Sequence, residues 1–165
     1  MSNPTATDNF LVVARHLALH SATEIPDAEW SAAENARFRA TISRAYYAAF
    51  LQLKYHLKSQ IEAYGGCFPY KDRVHNAVLK AVEDVLARLN SPHKNTLPKK
   101  LWNLHRDRNA ADYVWDARRA QRQADDSIEN ARVVMEQIAR LSGRETDEIA
   151  KEIAAFSPAS GLCPG

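Results

Sequence analysis

An apolar stripe runs along the segment from about Ala28 to Ala63 and predicts one long helix. Its members recur every three or four positions: Phe38, Ile42, Ala45, Ala49, Leu53 and Leu57. This spacing places them on a single face of a helix. A stripe of this length has to be covered by other apolar faces, so it favours a fold built from packed helices.

Further helices are predicted from the same periodicity and from the turn residues between them. They cover about 9–21, 71–90, 99–113 and 117–142, followed by a short amphipathic helix at 146–156. Glycines and a proline in Tyr64–Tyr70 end the long helix, and Gly143 is expected to end the helix at 117–142. The expected fold class is all-α, an antiparallel helical bundle of four to five long helices plus a short C-terminal helix. One domain is expected over residues 1–157, with a mobile tail at 158–165.

The composition is typical of a soluble globular protein, with 45% hydrophobic and 25% charged residues. No apolar run approaches the roughly 18 residues that a membrane span needs. The first residues also lack the layout of a signal peptide. A cytoplasmic location with no membrane partner is therefore expected. Cys67 and Cys163 fit neither a metal motif nor a disulfide framework.

The segment Leu101–Asp116 carries a charge inside an apolar stripe. On a helix, one face is formed by Leu101, Leu104, Ala111 and Trp115. Arg108 falls within that face, although an unpaired buried charge is costly. Two interpretations stay open. Arg108 forms a partly buried structural pair with Asp112, four residues on, or the helix faces a cleft or a subunit interface.

Basic residues gather around this segment. Between Lys94 and Arg122 the chain has eight lysines and arginines against three aspartates, a local net charge of +5, whereas the whole chain carries +2. Such a cluster suits an anionic partner such as RNA. The expected RNA-binding residues are Lys99, Lys100, Arg44, Tyr47 and Arg118.

Metal and cofactor chemistry finds little support in the sequence. Among the six histidines, His16 and His20 are four residues apart, but no third ligand accompanies them. They are interpreted as isolated polar histidines. Gly65 and Gly66 belong to a turn rather than to a phosphate-binding loop. We expect no metal and no cofactor.

Phosphodiester cleavage without a metal remains compatible with the segment. This chemistry requires a cation to hold the phosphate and a proton donor or acceptor near the ribose 2′-oxygen. Arg106 and Arg108 provide cations. His105, Asp112 and Tyr113 are the candidates for proton transfer, although a tyrosine with an ordinary pKa of about 10 is a poor base near neutral pH.

Three segments together resemble HEPN domains. They are SRAYYAAF (Ser43–Phe50), VHNAV (Val74–Val78) and LHRDRNAADY (Leu104–Tyr113). The likeness covers about residues 35–140 and is closest to small stand-alone prokaryotic HEPN proteins ending in R-N-x-A-D-Y. It implies a helical bundle, commonly a homodimer with paired active sites at its interface. It also implies metal-independent endoribonuclease activity in toxin–antitoxin, CRISPR or phage-defence systems, often with a nucleotidyltransferase antitoxin as partner.

The sequence departs from the family's catalytic motif, R-x(4–6)-H. Neither Arg106 nor Arg108 has a histidine at that spacing. In a toxin subgroup the motif is R-x4-H-x-Y, and its tyrosine accepts AMP. Arg106, Ala111 and Tyr113 match that frame with alanine in place of histidine, which makes Tyr113 the candidate for modification.

Two functions therefore stay open. One is a ribonuclease or toxin in which another group, such as His105 or Tyr113, replaces the histidine. Its catalytic residues would be Arg106, Arg108, Asn109, Asp112, Tyr113 and His105. The other is a catalytically inactive HEPN module, which acts as an RNA-, nucleotide- or partner-binding subunit of a defence or CRISPR-type complex.

Overall fold

The described part of the chain is all-helical in a computed structural model, which covers residues 11, 14–15, 27–68, 74–113 and 121–156. Its helices are α1 (Asp27–Ala63), α2 (Val74–Arg88), α3 (Leu97–Tyr113), α4 (Gln121–Ala139) and α5 (Gly143–Phe156). Leu11, Ala14 and Arg15 are also helical, and the rest of the predicted helix at 9–21 lies outside the described residues. Within the described ranges, none of the helices combines the length and apolar character that crossing a membrane requires.

The predicted all-α fold class is confirmed, and the long helix runs where the apolar stripe placed it. Every member of that stripe, from Phe38 to Leu57, is buried. The glycines end this helix as expected, because Gly65 adopts a left-handed φ of 73° and the amide groups of Gly65 and Gly66 cap carbonyls of the last turn. Gly65 N–H donates to the Glu62 carbonyl and Gly66 N–H to the Ile61 carbonyl, both at 3.0 Å, which is the Schellman pattern.

Two compact units make up the fold. The described residues of Met1–Leu51 and Asn103–Val134 form one unit, and those of Gln52–Trp102 and Met135–Gly165 form the other. In the first unit, α1, α3 and α4 share a core cluster of Phe38, Ile42, Ala111 and Ala124. In the second unit, α2 packs against α5. The single domain predicted over residues 1–157 stays a prediction.

The junction between α4 and α5 differs from the expectation. The helix α4 ends at Ala139, and Gly143 begins α5 rather than ending α4. The reason is a capping box in the sequence Ser142-x-x-Glu145. Ser142 Oγ accepts the Glu145 N–H at 3.2 Å, while Glu145 Oε2 accepts the Ser142 N–H at 2.7 Å. These reciprocal bonds satisfy amide groups at the helix start, so a new helix begins where a stop was predicted.

The Glu145 carboxylate is buried in this cap. Burial by itself raises the pKa of this carboxyl group. Hydrogen bonds from Ser91 and Ser142, together with the nearby charge of His93, lower the pKa by more than burial raises it, so the net pKa lies below the ordinary value. Ser142 Oγ contributes a bond of 2.8 Å. The ionised form of Glu145 is therefore the one that the fold stabilises.

Glu145→Gln should destabilise the protein by about 1 kcal/mol at neutral pH, the usual worth of a helix cap. A group whose pKa is depressed by folding stabilises above its unfolded pKa and loses that contribution as the pH falls through its folded value. The difference in unfolding free energy between parent and variant should therefore shrink below about pH 4.5. Urea titrations at several pH values measure it, with Glu152→Gln, in the exposed pair with Arg88, as the control. An equal, pH-independent loss in both variants contradicts the prediction.

Gly66 lies too close to α5 to carry a side chain. A Cβ atom there would stand 2.7 Å from Ala154 Cβ and 2.8 Å from Ala154 Cα. Gly66→Ala should therefore destabilise the protein by about 1–3 kcal/mol through overpacking. Gly143→Ala is the matched control, since its added Cβ meets nothing within 4 Å. Thermal unfolding of both variants tests this prediction, and equal melting temperatures of Gly66→Ala and Gly143→Ala would refute it.

The sequence-based expectation for the cysteines is wrong for Cys67, which is disulfide-bonded. Cys163 lies outside the described residues.

Candidate functional site: a buried arginine network

Arg108 lies inside the buried stripe of α3, as its sequence position predicts. Leu101, Leu104 and Ala111 on the same face are buried, and Arg108 is 8% exposed. Trp115 lies outside the described residues. A charge buried to this extent is tolerated only where its neighbours compensate for lost water.

Among the described residues, three side chains hold the Arg108 guanidinium through hydrogen bonds or an ion pair. Nη2 donates to the Tyr47 hydroxyl at 2.6 Å, and Nη1 donates to Asn109 Oδ1 at 3.0 Å. Nε stands 2.7 Å from Asp112 Oδ2. The predicted ion pair between Arg108 and Asp112 is thus confirmed, and α1 joins it through Tyr47.

The ion pair with Asp112 is close but poorly aligned. Nε of Arg108 is buried and makes no hydrogen bond, although the carboxylate oxygen is 2.7 Å away. The same oxygen accepts the Ser43 hydroxyl at 3.3 Å. Burial lowers the pKa of Arg108, but Tyr47, Asp112 and Tyr113 raise it more, so that the net pKa lies above the ordinary value. The guanidinium therefore stays charged, with one N–H directed off the line to its acceptor.

The arginine also fixes the state of His105 through Asn109. Because a guanidinium only donates, Asn109 turns its oxygen to Arg108 and its amide nitrogen to His105. That nitrogen lies 3.3 Å from His105 Nε2, so Nε2 accepts and the ring proton sits on Nδ1. Burial, and then the charge of Arg108, lower the pKa of His105. His105 is therefore a neutral, buried ring whose Nε2 lone pair is occupied.

Aromatic rings pack behind His105. The Tyr46 ring is fully buried, and its centroid lies 5.5 Å from that of His105 and 5.7 Å from that of Phe50. Burial raises the pKa of Tyr46 far above the ordinary value. This side of the network is therefore part of the protein core, and the Tyr46 hydroxyl stays protonated near neutral pH.

Tyr113 forms the solvent side of the network. Its side chain is 62% exposed, and Arg108 Cζ lies 5.1 Å from its ring centroid. The Tyr47 ring is 5.3 Å from the same carbon. The guanidinium thus contacts two aromatic rings, in the range of cation–π attraction. Only the ring of Tyr113 has a large solvent-accessible surface.

Five further predicted site residues are Arg106, Arg44, Lys99, Lys100 and Arg118. Arg106 is exposed, 73% by its side chain, and pairs with its neighbour Asp107 at 3.4 Å. Arg44 is exposed on α1 in the same unit. Lys99 and Lys100 belong to the other unit, and Arg118 lies outside the described residues. Of the predicted RNA-binding residues, the structure brings Tyr47 to Arg108, and RNA binding by the whole set stays a prediction.

Sequence reasoning missed Ser43 and Tyr46 as members of the site. Ser43 and Tyr47 are four residues apart on α1, so both can face one partner helix. That spacing was a usable indication, whereas nothing in the sequence pairs Tyr46 with His105.

Metal binding receives no support from the described residues, since they contain no group of three histidine, cysteine or acidic side chains able to hold an ion. His16 and His20 lie outside them. Comparisons of the chain with protein-family models, with curated proteins and with solved structures found no match.

Proposed function

We propose that this protein is a HEPN-type endoribonuclease that cleaves RNA without a metal, as a toxin or defence component of a prokaryotic toxin–antitoxin or phage-defence system. The observation that carries the proposal is the charged Arg108, buried beside the exposed Tyr113. Burying a charged network costs desolvation free energy, so an apolar contact would stabilise a helix pair equally well or better. Ionisable groups with shifted pKa values also cluster at functional sites. The resemblance of Leu104–Tyr113 to HEPN domains supplies the reaction class, and it also suggests a homodimer and a nucleotidyltransferase partner.

The proposed reaction is attack by the ribose 2′-oxygen on the adjacent phosphorus. A 2′-oxygen–phosphorus bond forms, the bond to the 5′-oxygen breaks, and the products end in a 2′,3′-cyclic phosphate and a 5′-hydroxyl. The 2′-hydroxyl proton passes to water or hydroxide. Tyr113 donates its phenolic proton to the leaving 5′-oxygen and regains it from water.

Arg108 and Arg106 have different tasks in this proposal. Arg106 is exposed and binds the phosphate directly, because its contact with Asp107 is a weak surface pair. Arg108 is held beneath Tyr113 and stabilises negative charge through its field in a site of low dielectric. His105 has no proton-transfer role in this proposal, because the residue is buried and its Nε2 already accepts from Asn109.

A second candidate function is a non-catalytic HEPN module that binds RNA, a nucleotide or a protein partner. The observation that favours it is that the guanidinium of Arg108 is already engaged by Tyr47, Asn109 and Asp112. In this alternative the network only stabilises the packing of α1 against α3. It predicts binding without cleavage.

The deciding experiment is incubation of the purified protein with single-stranded RNA in excess EDTA. We expect cleavage with 5′-hydroxyl and cyclic phosphate ends, and none of a 2′-O-methyl RNA of the same sequence, since that RNA lacks the attacking hydroxyl. Tyr113→Phe should lose cleavage and keep its melting temperature. RNA left intact by the folded parent refutes the ribonuclease and leaves the second candidate.

A further inference from the structure

The proposed reaction uses the hydroxyl group of Tyr113 and assigns no role to the exposed face of its ring. We propose that this ring is a stacking platform for one unpaired base of a single-stranded RNA, with Arg106 holding a backbone phosphate of the same strand. The inference rests on the proposed function, because it names the form of RNA that the site takes.

The ring of Tyr113 contacts a guanidinium that is itself held in place by other side chains. Its centroid lies 5.1 Å from Arg108 Cζ, and Arg108 is in turn held by Tyr47 at 2.6 Å and by Asp112 at 2.7 Å. A ring held by an anchored cation loses little entropy when a ligand stacks on its free side. By comparison, Tyr55 in the other unit is 53% exposed, and the described structure shows no polar or ring contact that holds it.

The charge below the ring selects the class of ligand. A second cation on the free face would be repelled by Arg108, so lysine-like and quaternary ammonium ligands are disfavoured. A neutral, flat base is not repelled, and each stacked base adds about 1–3 kcal/mol of binding in single-strand complexes. A phosphate attached to the base is attracted by the same charge. The chemistry therefore favours a nucleotide over a cationic or a purely aliphatic ligand.

Arg106 lies on the same face of α3 as Tyr113. The two residues are seven positions apart, which is close to two full turns and about 10 Å along the axis. Both are exposed, and Asn109 lies between them on that face. Arg106 pairs with the exposed side chain of Asp107 at 3.4 Å, a contact that a phosphate can replace. The face thus offers a cation and a ring in one row, as single-strand binders do.

Duplex RNA does not fit this arrangement. In a duplex the base faces are stacked on each other and cannot reach an aromatic side chain, whereas unpaired bases can splay onto one. The platform therefore binds single-stranded RNA or a loop, with little dependence on sequence, because every base has a π face.

The test measures binding of a fluorescent 2′-O-methyl oligonucleotide, which cannot be cleaved, and of an abasic oligonucleotide with the same backbone. Tyr113→Ala should weaken binding of the base-containing strand about tenfold, corresponding to one stacked base, and leave binding of the abasic strand unchanged. Tyr113→Phe should bind like the parent, since the ring is retained. Tyr55→Ala is the control and should bind both strands like the parent.

Arg106→Ala provides the complementary result. It should weaken binding of both strands equally and reduce the slope of log K against log salt by about 0.7, as expected for one lost phosphate contact on a single strand. Equal binding of the base-containing strand by parent and folded Tyr113→Ala overturns the platform.

Failure of the platform and failure of the ribonuclease are distinguishable in these measurements. Ring-dependent binding without cleavage of ordinary RNA by the parent supports the platform and refutes the nuclease. If the parent cleaves RNA but Tyr113→Ala binds the base-containing strand as tightly as the parent does, the nuclease is supported and the platform is refuted. A loss in Tyr113→Phe as large as in Tyr113→Ala also overturns the stacking role, because the hydroxyl would then be the binding group.

Discussion

Arg108→Met should lower the rate of RNA cleavage by about a hundredfold or more, the usual effect of removing one preorganised group that stabilises developing charge. Methionine is similar in length to the stem of arginine and fills much of its space, so this variant removes the charge more than the packing. Arg108→Lys should retain part of the activity. It keeps a positive charge but cannot bond Tyr47, Asn109 and Asp112 at once.

The comparison of these two variants separates charge from packing. Both are assayed in EDTA at temperatures below their own melting points, with circular dichroism to verify the helices. If Arg108 only stabilises the fold, activity will follow melting temperature and Lys will have no advantage over Met. Cleavage at the parental rate by both folded variants would remove Arg108 from the mechanism.

Asp112→Ala should destabilise the protein by about 3 kcal/mol, at the lower end of the range for removing one partner of a buried pair. Arg108 would remain buried and charged, with its Nε facing no acceptor. The lower end applies because the Asp112 side chain is 27% exposed, so water can replace part of the lost carboxylate. Urea unfolding of parent and variant measures the loss.

Asp107→Ala is the matched control for this prediction. It removes the same side chain from the same helix, but its partner Arg106 is exposed, so the change in unfolding free energy should stay below about 1 kcal/mol. The double variant Arg108→Met/Asp112→Ala should lose less unfolding free energy than the sum of the losses in the two single variants, because no charge is then left unpaired. Additive losses argue against a coupled pair.

Local sequence rules located the helices well and misjudged one junction. The apolar stripe of α1 and the glycine stop after Ala63 depend on residues near in sequence, so periodicity and turn chemistry predict them. Gly143 was assigned by its residue type alone. The reciprocal bonds of Ser142 and Glu145 outweigh the tendency of glycine to end a helix, and a search for S-x-x-E would have found this start.

The candidate site was predicted in part. Arg108 and Asp112 are neighbours on one helix, so their pairing follows from α-helical spacing. The surroundings of Arg106 and His105 do not follow from α-helical spacing. They are adjacent in sequence, yet Arg106 is exposed while His105 packs on Tyr46. Spacing along a helix gives the direction of a side chain, but not the element that meets it.

The sequence by itself determined that this chain is helical, that α1 and α3 each bury one face, and that an arginine lies within a buried face. Only the tertiary structure decided what that arginine does. Tyr47 precedes Arg108 by 61 residues and Ser43 precedes Asp112 by 69, and these two contacts form only when α1 and α3 pack. The packing also buries His105 and leaves Tyr113 exposed. Periodicity is a property of one helix, whereas the hydrogen bonds that replace the water lost by a buried ion pair also depend on the helix that packs against it.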